Sequence, residues 1–227
     1  LSGPEREGVK LILDQALRID VAGVRALLSV LEFPIHFFDF ETIDYPLPVF
    51  LGTHPYQKIP FQFSCHVLHA NGRLEHSEFL HENLSDPRPP LIDALLRAIG
   101  GQGSVVAHHV PFERQLLSEL QRDYPDQAPA LQGIIDRFWD LRDVFTGPYQ
   151  DARFEGSTSI KKVLPVLCPD LTYDGMDVPD GTAAMAVWEE VVNGRSADVE
   201  RQLAALRQYC QQDTLAMVRI YQELLTV

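Results

Sequence analysis

Apolar positions recur at three- and four-residue steps through Leu13, Leu17, Val21, Val24, Leu28 and Leu31, the spacing of one helix face, and predict helix over residues 8–31. A break near Arg18–Ile19 leaves Asp20 placed to cap a second helix. The period then shortens. Ile35–Phe40 (IHFFDF) is short, aromatic and apolar, and Phe61–His69 alternates with Phe61, Phe63, Cys65, Val67 and His69 on one side. Arg73–Leu80 follows Asn71–Gly72, a strong hairpin signal. Helices are predicted at Pro90–Ile99, from Pro111 to about Leu120, near Leu131–Arg137, and over Ser159–Leu167, Thr182–Val192 and Val199–Leu225. Two short strands, Ser104–Ala107 and Phe138–Leu141, fall between them.

Antiparallel strands first and strand–helix units afterwards predict an α/β fold, a mixed sheet flanked by helices. The segment Thr42–Pro60 is long for a connection and holds four prolines, which marks it as a functional or tightly packed loop. Residues 1–32 are expected to form a helical lead-in, the tail of an upstream region, and residues 33–227 the main domain.

Composition narrows the classes. With 227 residues, 45% hydrophobic and 22% charged, the chain can bury a sizeable core and is not a disordered polymer. No run approaches the ~20 apolar residues of a membrane span. Three cysteines without a CxxC pair argue against a disulfide framework or a structural zinc and point to a reducing cytoplasm. The net charge of −13 disfavours a protein that grips nucleic acid mainly through phosphates. It does not disfavour an enzyme whose acidic site is neutralised by cations.

Three elements carry candidate chemistry. Asp39 and Glu41 are alternate residues of the first aromatic strand, so their carboxylates share a face near its carboxyl end, where open α/β sheets place ligands. Tyr209 and Asp213 lie four apart on the last helix, one above the other. His109 and Glu113, again four apart, open the helix that follows Ser104–Ala107. Taken singly, each has an ordinary explanation: a solvated strand end, a half-buried tyrosine beside a surface acid, a helix-opening glutamate. Ser157, Ser159, Lys161 and Lys162 read as a capped helix start with an exposed basic face, or as a serine and a lysine beside a substrate phosphate. Asp174, Asp177 and Asp180 read as loop and cap residues, and Asp140 as a cap at the edge of the site.

In order and spacing, the three elements resemble the DEDD superfamily of 3′–5′ exonucleases, in its tyrosine-containing branch, over roughly Phe33 to Leu225. The stretches FFDFET, PYQKIPFQFS, HENLSDPRPP, FERQLL, DLRDVF, GSTSIKKVLP and LTYDGMDVPDG are similar to a bacterial family of uncharacterised domains of ribonuclease-H-like type. Members of that family often follow a RecB-like nuclease domain. The resemblance implies a ribonuclease-H-like sheet, antiparallel in its first three strands and then parallel. It implies two Mg²⁺ or Mn²⁺ ions on Asp39, Glu41, Glu113 and Asp213, with Asp39 bridging both and Tyr209 orienting or deprotonating the attacking water. His109, Ser159 and Lys161 are expected at the substrate, a single-stranded DNA or RNA end. The chain departs from the wider pattern in having His109 for asparagine and Glu113 for aspartate. These departures and the charge keep two other readings open: a non-catalytic interaction module, and a phosphodiesterase acting on short oligonucleotides.

Overall fold

In the computed structural model, which describes residues 16–227, the first described element is a strand. Leu17–Ile19 (β1) pairs antiparallel with Tyr149–Asp151, a three-residue strand too short to carry a recognisable pattern. The helix expected through Leu17 is corrected accordingly, because pairing with a distant segment overrides a weak local periodicity. The part of that expectation at residues 8–15 lies outside the described residues. Asp20 caps α1 (Val21–Leu28), its carboxylate accepting from the Gly23 N–H at 3.0 Å. A Cβ on Gly23 would lie 2.6 Å from that carboxylate, so the cap depends on glycine there.

The central strand β2 (Ile35–Ile43) is followed by β3 (Ile59–Leu68) and β4 (Leu74–Leu80), both antiparallel. The remaining elements are α2 (Arg88–Ile99), β5 (Val105–Ala107), α3 (Val110–Asp123), α4 (Ala128–Ile135), β6 (Phe138–Asp140), α5 (Arg142–Thr146), β7 (Tyr149–Asp151), α6 (Ile160–Leu167), α7 (Gly181–Val192) and α8 (Val199–Leu224). β5 pairs parallel with β2, and β6 parallel with β5, giving a five-stranded mixed sheet in the order β4-β3-β2-β5-β6. The expected mixed sheet flanked by helices is what forms.

Alternation along β2 distributes its side chains to two layers. Phe38 and Phe40 pack with Phe63 and Cys65 against Leu91 and Leu95 of α2, Leu116 and Leu117 of α3, and Leu131 of α4. Phe37 turns the other way, onto Val24 of α1, Leu164 of α6, and Met217 and Tyr221 of α8. A third cluster joins Phe61, Trp188 of α7, and Leu206 and Tyr209 of α8, with the Phe61 and Trp188 rings stacked at 4.6 Å. Each fully buried Phe contributes about 1.5–3 kcal/mol relative to exposure, so both layers are firmly held to the sheet.

Polar contacts set α8 in register. Gln62 Nε2 donates to the Leu206 carbonyl at 2.9 Å, and the Thr214 hydroxyl meets Ser64 Oγ at 2.7 Å and His66 Nδ1 at 2.8 Å. The loop between β2 and β3 is clamped by Arg88, which is 2% exposed and donates to the Leu51 carbonyl as well as to Asp86 and Asp123. Among the described residues no helix is long and apolar enough to cross a membrane.

Candidate metal centre

β5 meets β2 only at His36 and Phe37 and ends at Ala107, so it stops short of Asp39 and Glu41. The helices packed against β2 are α7 and α8. Asp39 and Glu41, on one face of β2, point toward the α8 side, where Asp39 is paired in register with Ser64. The Sγ of Cys210 and one carboxylate oxygen each from Asp39 and Glu41 lie within 4.8 Å of one another. Asp213, one helical turn beyond, is buried with its Oδ1 accepting from the Tyr173 hydroxyl at 2.5 Å.

The charges of the neighbouring acids act on one another. Burial first, and then the charges of Asp213, Glu41 and Glu113, hold the Asp39 carboxyl well above the usual carboxylate range. Burial and then the Asp213 charge push Glu41 up to about 8, against the pull of Lys161. Glu113 is 3% exposed, its Oε2 has no hydrogen-bond partner, and burial raises it to about 8 although its own backbone N–H stabilises the ionised form. Asp213 rises less, to about 6, because the Tyr173 and Tyr209 hydroxyls and Lys161 offset its burial. The charges of Asp213 on α8 and Glu113 on α3 thus reach Asp39, while the ligand atoms within 4.8 Å of one another are those of Asp39, Glu41 and Cys210. Neither Asp39 nor Glu41 accepts a hydrogen bond from another described side chain.

Tyr209 is buried on the same helix face, its ring 6.4 Å from that of Tyr173. Burial and the neighbouring Asp213, Glu41 and Asp39 raise its hydroxyl far above its ordinary value, so it is a neutral donor at any physiological pH. Lys161 belongs to this group as well. Its Nζ lies over both rings, 5.4 Å from Tyr173 and 5.2 Å from Tyr209, and donates to the Pro179 carbonyl. Asp180 caps α7 through the Ala183 N–H, and its charge also raises Glu41.

His109 and Ser159 are placed differently. Both line a cleft of about 570 Å³ between the starts of α3 and α6, together with His108, Arg142 and Thr158, and none of the four carboxylates lines it. The His109 Nδ1 lies 3.2 Å from an Arg142 nitrogen, and Arg142 Nε donates to Thr158 Oγ1. Ser159 begins α6 without a side-chain cap bond. Asp140 caps both α3 and α5, accepting from the Val110 and Arg142 N–H groups at 3.0 Å each, and adds its charge to Glu113.

Two members of the group escape sequence reasoning. Cys210 lies three residues before Asp213, on the same helical face, a periodicity that points to it. Tyr173 sits in an irregular turn-rich segment, where no period announces which side chain turns inward.

Fold and cluster together define a mixed α/β domain with a buried, carboxylate-rich centre beside the carboxyl end of its central strand. The chain belongs to the family described as Domain of unknown function (DUF2779), whose profile matches residues 36–159, more than half of the 227. No curated protein and no solved structure matches the chain. The matched span contains Asp39, Glu41, His109 and Glu113 and ends at Ser159, before Tyr209 and Asp213.

Proposed function

We propose that the chain is a metal-dependent 3′–5′ exonuclease of the ribonuclease-H-like DEDD type, hydrolysing phosphodiester bonds at single-stranded DNA or RNA ends. One observation carries the reading: Asp39 and Glu41 bring carboxylate oxygens within 4.8 Å of one another without a side-chain donor, the charges of Asp213 and Glu113 reach Asp39, and one buried Glu113 oxygen is orphaned. Burying like charges without partners is costly, and a bound cation is the group that removes the cost. The donors are oxygens, the set that hard ions such as Mg²⁺ and Mn²⁺ take. Asp39, Glu41 and Asp213 would hold one ion, and Glu113, with Asp39, a second. Ions bound there would supply the positive charge that stabilises the attacking and leaving oxygens of phosphodiester hydrolysis.

The chain's own residues do the rest. Tyr209, neutral and one turn before Asp213, donates a hydrogen bond that orients the attacking water and does not serve as the base. Tyr173 keeps Asp213 aimed inward through its 2.5 Å bond. Lys161 supplies the nearest fixed positive charge, steadying Glu41 and Asp213 in their ionised forms. Arg142, between the starts of α3 and α6, is suited to a substrate phosphate. The strand order with three antiparallel strands followed by two parallel ones supports the ribonuclease-H-like assignment. The net charge of −13 favours short or single-stranded ends over long duplex. Calorimetric titration of the metal-free chain with Mn²⁺ tests the centre: binding in the wild type that is abolished in Asp39→Asn supports it, and equal binding in both overturns it.

A further inference from the structure

A centre built of oxygens leaves the sulfur of Cys210 without a role. The residue is completely buried, and its one polar contact is a weak one to the Asp39 carbonyl oxygen at 3.9 Å. A buried cysteine alone is ordinarily a small hydrophobe. Here its Sγ shares a space within 4.8 Å with carboxylate oxygens of Asp39 and Glu41. The Glu41 side chain is 7% exposed and brings its carboxylate into that space without a donor.

We propose that Cys210, Asp39 and Glu41 form a mixed sulfur–oxygen site that takes thiophilic divalent cations, Zn²⁺ or Cd²⁺, in competition with Mg²⁺ and Mn²⁺. The inference deepens the metal-centre reading and rests on it for two of the three ligands. Thiolate donors select Zn²⁺ and its heavier relatives, whereas Mg²⁺ and Mn²⁺ keep to oxygen. In a tetrahedral zinc site, sulfur and oxygen donors stand roughly 3.6 Å apart, so donors already gathered within 4.8 Å close on the ion by side-chain rotation of about 1 Å. On binding, the S–H bond breaks, an S–metal bond forms, and the proton leaves to solvent, with no change of oxidation state. An ion drawn toward Cys210 uses Asp39 and Glu41 in a way that excludes the hard ion they share with Asp213. Thiophilic ions are therefore inhibitors at this centre.

The test titrates the full, metal-free chain with Cd²⁺ and reads the near-ultraviolet sulfur-to-metal charge-transfer band. The expected result is a band that saturates at one equivalent in the wild type and is missing in Cys210→Ser. Cys65 and Cys168 are buried elsewhere and remain in that variant as internal controls. Zn²⁺ affinity should fall at least about tenfold in Cys210→Ser, the lower end of what even outer-shell changes cost, while Mn²⁺ affinity stays within about twofold. Should Cys210→Ser fail to fold, Asp39→Asn and Glu41→Gln keep all three thiols and should each weaken Cd²⁺ binding as read by the band. A wild type without the band, a band that survives in Cys210→Ser, or a band indifferent to both carboxylate variants overturns the proposal. Mn²⁺ binding with no band overturns this inference alone. A one-equivalent band in a chain that ignores Mn²⁺ overturns the hard-ion centre and supports the sulfur site.

Discussion

Without metal, the folded chain should lose stability as pH rises from about 7 to about 8, the opposite of a protein held by ionised salt bridges. Glu41 and Glu113 are both brought up to about 8, whereas an unfolded glutamate titrates at about 4.3. A carboxyl so raised holds a proton in the native chain that the unfolded chain has already lost. Its stabilisation is fully present below the unfolded value and disappears as pH rises through the folded one. Between pH 7 and 8 each such group loses about 1 kcal/mol, about 2 kcal/mol for the two glutamates, and Asp39, also held well above its ordinary range, adds to the loss. His36, His66, His76 and His108 are all pulled below their ordinary value by burial and act in the other direction. Their effect is spent mostly below about pH 6.5, the unfolded histidine value, so the carboxyls dominate above it. For a chain of this size the net loss corresponds to a fall in Tm of roughly 3–8 °C. Scanning calorimetry in chelator at the two pH values measures it, and Glu41→Gln should reduce the fall, since one raised carboxyl is gone and its charge no longer raises Asp39. Millimolar Mn²⁺ should flatten or reverse the trend, because the ionised cluster is then the ligand. A Tm in chelator that is level or rises from pH 7 to 8 would refute the argument that these acids are buried together without partners.

Other expectations follow from single contacts. Tyr209→Phe should fold and bind Mn²⁺ normally but slow turnover by roughly 10²–10⁴-fold, whereas Asp213→Asn should mainly raise the metal concentration required; single-turnover rates against metal concentration separate the two. Lys161→Met removes the positive charge that lowers Glu41 and Asp213, so the acid limb of the pH–rate profile should move to higher pH, and an unmoved limb would dismiss Lys161 from the site. Thr214→Val breaks its bonds to Ser64 and His66 in the sheet–α8 contact and should cost about 1–3 kcal/mol in urea unfolding, with weaker Mn²⁺ binding because Asp213 is the next residue.

Much of the centre was legible in the chain because regular elements have periods. Strand alternation puts Asp39 and Glu41 on one face, and the 3.6-residue turn puts Tyr209 with Asp213. Glu113 was legible as the acid of a helix opening directly after a strand. Cys210 shares the helical face of Asp213 but looks like an ordinary core thiol, and what else lay hidden belongs to a segment without a period. Tyr173 reaches Asp213 from a loop, whereas Lys161, expected near the substrate, lies with its Nζ over the two tyrosine rings. The β1–β7 pair was invisible because three residues show no alternation, and only the distant partner decides that Leu17 is extended. His109 matched a spacing and Ser159 a helix start, and both line the cleft that also holds Arg142.

Cleavage of nucleic acid is the direct readout of the proposed nuclease. Single-stranded DNA and RNA oligonucleotides carrying a 5′ label, incubated with the chain and Mn²⁺, test it directly. Progressive shortening from the 3′ end by the wild type, abolished in Asp39→Asn and in chelator, is the predicted result. Oligonucleotides of both sugars left at full length by a folded, Mn²⁺-bound wild type would contradict it.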